Sequence, residues 1–288
     1  RTAGAWGNSL QVSVCPSATA YEETNKTTTN DSSISIGDTT LTLTSGTGFN
    51  VGDIINFGES GGHEYRITAV SSNDITFVRH PSGTGGLHTA LAGGTQVRRR
   101  WRYYDLVDKA PGTSTYTSTR SGANDEMHIV VVDEDGGITG TPGEVLEVYD
   151  SVSKASDAKT AQGDTNYYVD VIYNQSQYIY WMDHNTGGSN WGSTATGTTF
   201  TAVTAPFVDS LVSGADGSAV TTAELKSAYE KYNDADTVDA NLIMAGKGDS
   251  THIDNLITIA ENRKDAIVFV SPERADVVNV TNSTTQTT

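Results

Sequence analysis

Alternation of apolar and polar residues governs the first two thirds of the chain, and helical spacing enters only in the last third. Leu10, Val12 and Val14 alternate, as on a strand with one buried face. Residues 21–33 are polar and read as a linker. From Ile34 to Arg100 short apolar stretches recur: Ile34 with Ile36, Leu41 with Leu43, Ile54 to Phe57, Tyr65 to Val70, Ile75 to Val78, and Thr95 to Val97. Gly, Asn and Asp separate them. Short strands at close spacing with turn residues between them predict a small antiparallel barrel or sandwich.

The centre of the chain carries the densest apolar run, Met127 to Val132. An acidic glycine turn follows (Asp133, Glu134, Asp135, Gly136, Gly137), then a second stretch, Glu144 to Tyr149. Two strands joined across an Asp-Gly turn predict a hairpin. Ile129 and Val131 alternate with Val130 and Val132, so both faces are apolar, as in a central strand covered on both sides. The same reading makes Glu144 to Tyr149 central and Asp133 to Asp135 a solvated turn. Tyr167, Tyr168, Val169 and Val171 read as a further strand, and so does Tyr178 to Trp181. The loops at 109–124 and 184–198 are rich in Gly, Ser and Thr.

The last third has a different grammar. Thr221 and Glu224 have the spacing of a capping box. Leu225, Ala228, Tyr229 and Tyr232 then share one helical face. Leu242 to Ala245 is a short apolar strand. Ser250 or Thr251 can cap a second helix, on which Ile253, Leu256, Ile257 and Ala260 share a face. Ala266 to Val270 is a continuous apolar strand, as when both faces are covered. Strand, helix, strand predicts a βαβ unit with a parallel pair. The predicted class is therefore α+β, a mixed sheet with flanking helices and a C-terminal βαβ unit, with an inserted small all-β barrel or sandwich. The predicted domains are 1–22 joined to 101–280, an insert at 23–100, and a polar tail at 281–288.

Composition narrows the choice of function. The chain has 288 residues, 36% of them apolar, and a formal net charge of -17. Phosphate contacts need Lys and Arg, so non-specific nucleic-acid binding is not expected. Cys15 is the single cysteine, which rules out an intrachain disulfide, and its place at a strand end predicts a buried, inert thiol. No apolar run approaches the ~20 residues of a helical membrane span. No basic-then-apolar leader is read at the start, and no membrane partner is expected. The abrupt opening Arg1-Thr2-Ala3-Gly4 and the polar ending are expected of a piece of a longer polypeptide.

Candidate chemistry is sparse. Gly246-Lys247-Gly248-Asp249 lies between a strand and a helix, where phosphate binds in α/β folds, but the P-loop and dinucleotide spacings are missing. Asp133, Asp135 and Glu144 match three positions of a calcium loop, but Gly137 breaks the ligand pattern and the flanks are strands. The six histidines (His63, His80, His88, His128, His184, His252) lack metal-ligand spacing and read as surface residues. No nucleophile elbow is present. The predicted catalytic, metal and cofactor sites are therefore none. Arg98, Arg99, Arg100 and Arg102, interleaved with Trp101, form the one basic cluster. They are the candidate patch for contact with an acidic surface of a neighbouring copy, since charge complementarity sets register between subunits.

Several stretches resemble the tail sheath proteins of T-even-like contractile-tailed phages. They are DEMHIVVVDEDGGITGTPGEVLE from Asp125, SKASDAK from Ser153, YYVDVI from Tyr167, RTAGAWGNSLQVSV from Arg1 and RKDAIVFVSPERADVV from Arg263. They stand in the family's order, and the region 23–100 is where family members vary. The resemblance implies a structural protein of the virion, assembled in the bacterial cytoplasm and not an enzyme. It also implies partners: further copies in stacked hexameric rings, the tail tube and baseplate proteins. In that family contraction drives the tube through the host envelope, as subunits move mainly as rigid bodies to a packing of lower free energy. The family's C-terminal core is missing here. Two other readings come from the residues themselves: an outer β-rich module that recognises a glycan or receptor through the insert, and an enzyme using the Gly246 loop.

Overall fold

The computed structural model describes residues 1–271 apart from Ala3, together with Val278. The expected tail at 281–288, and Pro272 to Val277 of the last resembling stretch, lie outside the described residues. The architecture is mixed helix and sheet, in two compact units, Arg1–Asp216 and Gly217–Thr288. The boundary falls within the stretch 101–280.

The first unit holds two sheets. One is four-stranded, built from β1 (Leu10–Cys15), β8 (Glu126–Asp133), β9 (Glu144–Ser153) and β10 (Phe207–Ser210) in the order β10-β1-β8-β9. All its pairings are antiparallel. The predicted hairpin is therefore present as β8 and β9. Only β8 is central, however; β9 forms an edge. Every residue of β8 is buried. Strand alternation explains how. Met127, Ile129 and Val131 pack with Leu10, Tyr149 and Val152 on one face. Val130 and Val132 pack with Cys15, Trp101 and Tyr103 on the other. Each buried aliphatic side chain contributes roughly 1.5–3 kcal/mol, so β8 is the main ballast of this unit.

The helix that closes the first face is a correction to the sequence reading. Tyr168–Gln175 is helix α3, following two short helices, α1 (Ala18–Tyr21) and α2 (Thr115–Ser118), and is not a strand. Tyr168, Val171 and Ile172 are its buried residues, the i, i+3, i+4 spacing of one helical face. That spacing outweighs the β-branched composition. Tyr178 to Trp181 is irregular rather than a strand. Its carbonyls are taken by a side chain instead of a ladder: Arg1 Nε donates to the carbonyl of Ile179 at 3.1 Å.

The second sheet has six antiparallel strands from the stretch 22–100: β2 (Glu22–Thr28), β3 (Thr40–Thr42), β4 (Ile54–Asn56), β5 (Glu64–Ser71), β6 (Asp74–His80) and β7 (Gln96–Arg100). Their order is β2-β7-β4-β5-β6-β3. β2 corrects the linker reading. It is polar, but it pairs with β7 and so satisfies its backbone along a rim. The Asn30 and Thr44 N–H groups donate to the carbonyls of Thr42 and Thr28, each at 2.8 Å, so the two outermost strands also meet. Leu41, Leu43, Ile55, Phe57, Tyr65, Ile67, Ile75, Phe77, Leu87 and Val97 fill a core of their own.

The second unit contains α4 (Thr222–Tyr229), β11 (Leu242–Lys247), α5 (Ser250–Arg263) and β12 (Ile267–Ser271). Thr221 and Glu224 form the predicted capping box. β11 and β12 are parallel, with α5 between them in sequence, as the βαβ reading expects. Two details differ. Asp249, not Ser250 or Thr251, caps α5. The buried stripe of α5 is His252, Leu256, Ile259 and Arg263, so Ile257 lies outside it. β12 is covered on one face only, since Ile267 and Phe269 are exposed.

Candidate functional site

Strand β7 places the arginine cluster, and its pleat divides it. Arg99 points inward and is 1% exposed. Its Nη1 donates to the carbonyl of Ala20 at 2.9 Å, and its Nη2 to that of Thr19 at 3.1 Å and Thr204 at 3.4 Å. Asp53 Oδ2 lies 4.0 Å away. Burial pushes the Asp53 carboxyl up to about 7, against the opposing pull of Arg99. Arg100 pairs with Glu64 at 3.0 Å and Glu22 at 3.2 Å, and its guanidinium lies 4.7 Å from the ring centre of Tyr104. Arg102 rests on the Tyr103 ring at 5.1 Å. Its stem passes Gly52, where a Cβ would come within 2.2 Å and where φ is +93°; a glycine is required there. Arg98 is exposed, with no ion pair among the described residues. The four arginines thus share a segment but not a surface. Arg99 is an internal fastener and Arg100 is paired with Glu22 and Glu64, while Arg98 and Arg102 have no ion pair among the described residues.

The hairpin turn is not wholly solvated. Glu134 and Asp135 are exposed, but Asp133 is buried. One of its oxygens accepts from the Thr139 N–H at 2.6 Å, the Thr139 hydroxyl at 2.7 Å and the Ile138 N–H at 3.1 Å. Burial opposes ionisation of Asp133, and these hydrogen bonds overcome it and hold its carboxyl below the usual range. Gly136, at φ +81°, turns the chain where a Cβ would meet Pro142 at 2.9 Å. Asp133 is therefore a loop organiser. Among the described residues no group of three or more His, Cys, Asp or Glu is arranged to hold a metal ion.

The histidines are not all surface residues. His128 is fully buried. Its Nε2 lies 2.9 Å from the carbonyl of Lys109, and its Nδ1 accepts from the Ser151 N–H at 2.9 Å. The carbonyl needs a proton on Nε2, while the Asp150 carboxylate lies 3.0 Å from Nδ1. Burial lowers its pKa. His63 and His88 stack with ring centres 3.7 Å apart. His252 is buried against Tyr229. Hydropathy alone could not separate these cases, because all depend on partners remote in sequence.

At the Gly246 loop the start of α5 is already occupied by the chain's own carboxylate. Asp249 accepts from the His252 N–H at 2.8 Å and from the Thr222 hydroxyl at 2.8 Å. An anion would have to displace it and face its charge. Cys15 is buried, and burial pushes its thiol up to about 12, which makes it a poor nucleophile. Lys154 is fully buried, donating to the carbonyls of Pro16 at 2.6 Å and Asn124 at 2.9 Å. Burial lowers its pKa to about 8, against the attraction of Asp125. It ties three segments together with no route to solvent, so its part is structural. No helix among the described residues is long and apolar enough to cross a membrane.

One concavity was not foreseen from the sequence. It is an open-sided cavity of about 540 Å³ over β1, β8 and β10 of the first unit. Val12, Val14 and Ile129 form its floor, and Tyr168, Trp181 and Trp191 stand in its wall. Alternation at β1 signals a buried face; nothing in the sequence says that the irregular segment 178–191 covers it only in part.

No protein-family model matches the chain. It is 25% identical over 184 residues to the tail sheath protein of Salmonella phage ViI, a match that takes in 61% of this chain. The chain spans about a quarter of that relative's length (25%).

Proposed function

We propose that this chain is a structural segment of a contractile-tail sheath subunit, a component of the phage virion and not an enzyme. The observation that carries the reading is the similarity over 184 residues to the tail sheath protein of Salmonella phage ViI. The resembling stretches support it, since they stand in the family's order and the hairpin among them forms the heart of the first unit. The fold is compatible: its polar groups are spent on joining loops to strands, as suits a block that transmits force between neighbours.

Within this reading, 1–22 and 101–280 supply the sheath-like body, and 23–100 is an insert whose six strands close into a small barrel. The meeting of β2 with the end of β3 favours that closure. The partners are further copies of the subunit, the tail tube and the baseplate. Assembly takes place in the bacterial cytoplasm, and contraction during genome ejection drives the tube into the host. Contact between copies runs through surfaces: of the arginine cluster, Arg98 and Arg102, which have no ion pair among the described residues, are the ones to meet an acidic neighbour.

The test is immunogold labelling of purified particles of the phage that encodes the chain. An antibody raised against residues 1–216 is expected to decorate the tail along its whole length. Labelling confined to heads or fibres, or absent from particles, would overturn the proposal.

A further inference from the structure

We propose that the open cavity of the first unit is a binding site for a neutral saccharide, a mono- or disaccharide unit of a larger glycan. This does not rest on the sheath reading. It differs from recognition by the insert, because the site lies on the four-stranded sheet.

Volume and lining set the class. At about 540 Å³ the cavity falls within the roughly 300–1,000 Å³ of small-ligand sites. Its wall is aromatic, and the rings are held rather than loose. Trp181 Nε1 donates to the Tyr168 hydroxyl at 3.0 Å, and that hydroxyl lies 2.7 Å from His184 Nδ1. Tyr178 stacks on Trp6 at 5.9 Å between ring centres. Tyr168 is buried and Tyr178 is covered on one side by Trp6, so the half-buried Trp181 and Trp191 are the rings left to meet a ligand, at little entropic cost. The C–H face of a pyranose matches them.

The rim supplies the polar half of the match. Asp183 and Asp209 line the cavity and are exposed. One oxygen of Asp183 accepts from the His184 N–H at 2.7 Å, which leaves the other unused. The Asp209 side chain takes no hydrogen bond from any described residue, and Asn185, also on the rim, keeps its amide N–H groups free. These are acceptors and donors suited to vicinal hydroxyls.

Charge excludes the neighbouring ligand classes. Two carboxylates in a chain of net charge -17 repel phosphates, sialic acids and other anions. The one cation lining the cavity among the described residues, Arg1, is already engaged. It donates to the carbonyls of Ile172 at 3.0 Å and Ile179 at 3.1 Å, and its guanidinium lies 4.2 Å from the Tyr180 ring centre. That guanidinium covers Tyr180 and leaves Trp181 and Trp191, so the hydroxyl-matching rim favours a neutral ligand and the choline control separates it from a quaternary ammonium.

The experiment uses the 288-residue chain. Methyl α-D-glucopyranoside, methyl β-D-galactopyranoside and N,N′-diacetylchitobiose are titrated against tryptophan fluorescence, with choline chloride as the cationic control. At least one saccharide is expected to bind in the millimolar range or tighter. Asp183→Ala and Asp209→Ala, both at exposed positions, are each expected to weaken it by about tenfold with unchanged circular dichroism. Saturation-transfer NMR on the unmodified chain gives a readout that needs no variant: the pyranose C–H protons should receive the strongest saturation. Binding of choline in place of sugar, saccharide binding that both variants retain, or no saccharide binding at all would overturn the proposal.

Discussion

Arg99 Nη1 donates to the carbonyl of Ala20 at 2.9 Å, and this bond joins the last strand of the six-stranded sheet to the turn of helix that follows β1. The two residues are 79 apart in sequence. The same guanidinium also takes up the carbonyls of Thr19 and Thr204. Replacing Arg99 by Ala leaves these carbonyls without this donor and the Asp53 carboxyl without its cation, 4.0 Å away. Removing one partner of a buried ionic contact costs about 3–5 kcal/mol. Arg99→Ala is therefore expected to lower the unfolding free energy of the first unit by that amount, measured by urea titration of near-ultraviolet circular dichroism. Arg98→Ala, at an exposed position, should change it by less than about 0.5 kcal/mol.

Asp53 gives the junction a pH dependence of definite sign. Its folded-state carboxyl titrates near 7, whereas an unfolded aspartate titrates near 3.8. The folded state therefore holds a proton that the unfolded state has lost, throughout that window. Stability from this group is full below pH 3.8 and falls as the pH rises toward 7. Asp53→Asn keeps an acceptor for the Asn50 N–H and removes the titration. The melting temperature of the variant, relative to the unmodified chain, should rise steadily between these two values. A difference constant across the window would contradict this account of Asp53.

Val131 tests the covering of β8. It is fully buried in the central strand, opposite Val12 on one side and Glu147 on the other. A carboxylate there has no partner, at a cost of several kcal/mol. That is comparable with the ~5–15 kcal/mol stability of a whole domain. Val131→Asp is expected to abolish the cooperative thermal transition of the first unit. Retention of it would mean that this face is wet.

The ends of the stretch 22–100 lie side by side: the Trp101 N–H donates to the carbonyl of Tyr21 at 2.7 Å. A two-residue Gly-Ser bridge can therefore replace residues 22–100. The shortened chain is expected to keep the antiparallel signature of the four-stranded sheet and one cooperative melt. Loss of that melt would show that the two sheets fold only together.

Much of this fold is legible in the sequence, for a physical reason that differs by element. The β8–β9 hairpin is written in an unbroken apolar run and an Asp-Gly turn. The α4 cap is written in Thr221 and Glu224, three residues apart. What escaped depends on distant partners. β2 looks like a linker because its side chains are polar; only its pairing with β7 makes it a strand. Tyr168–Gln175 looks extended by composition, and the face it buries against Ile129 and Val131 decides otherwise. Asp133 looks solvated until Thr139 folds back onto it. The arginine cluster was visible as charge, but the inward turn of Arg99 needed the pleat of β7 and the carbonyls of a segment 79 residues earlier. The aromatic cavity was invisible, because its floor, wall and rim come from six separate stretches.

The most direct test of the central claim is a helical reconstruction of the phage tail by cryo-electron microscopy. The account predicts that the four-stranded and six-stranded sheets of residues 1–216 fit, as one repeating block, into the outer layer of the tail around its tube. A sheath whose density is fully explained by another polypeptide, with no place for these two sheets, would contradict it.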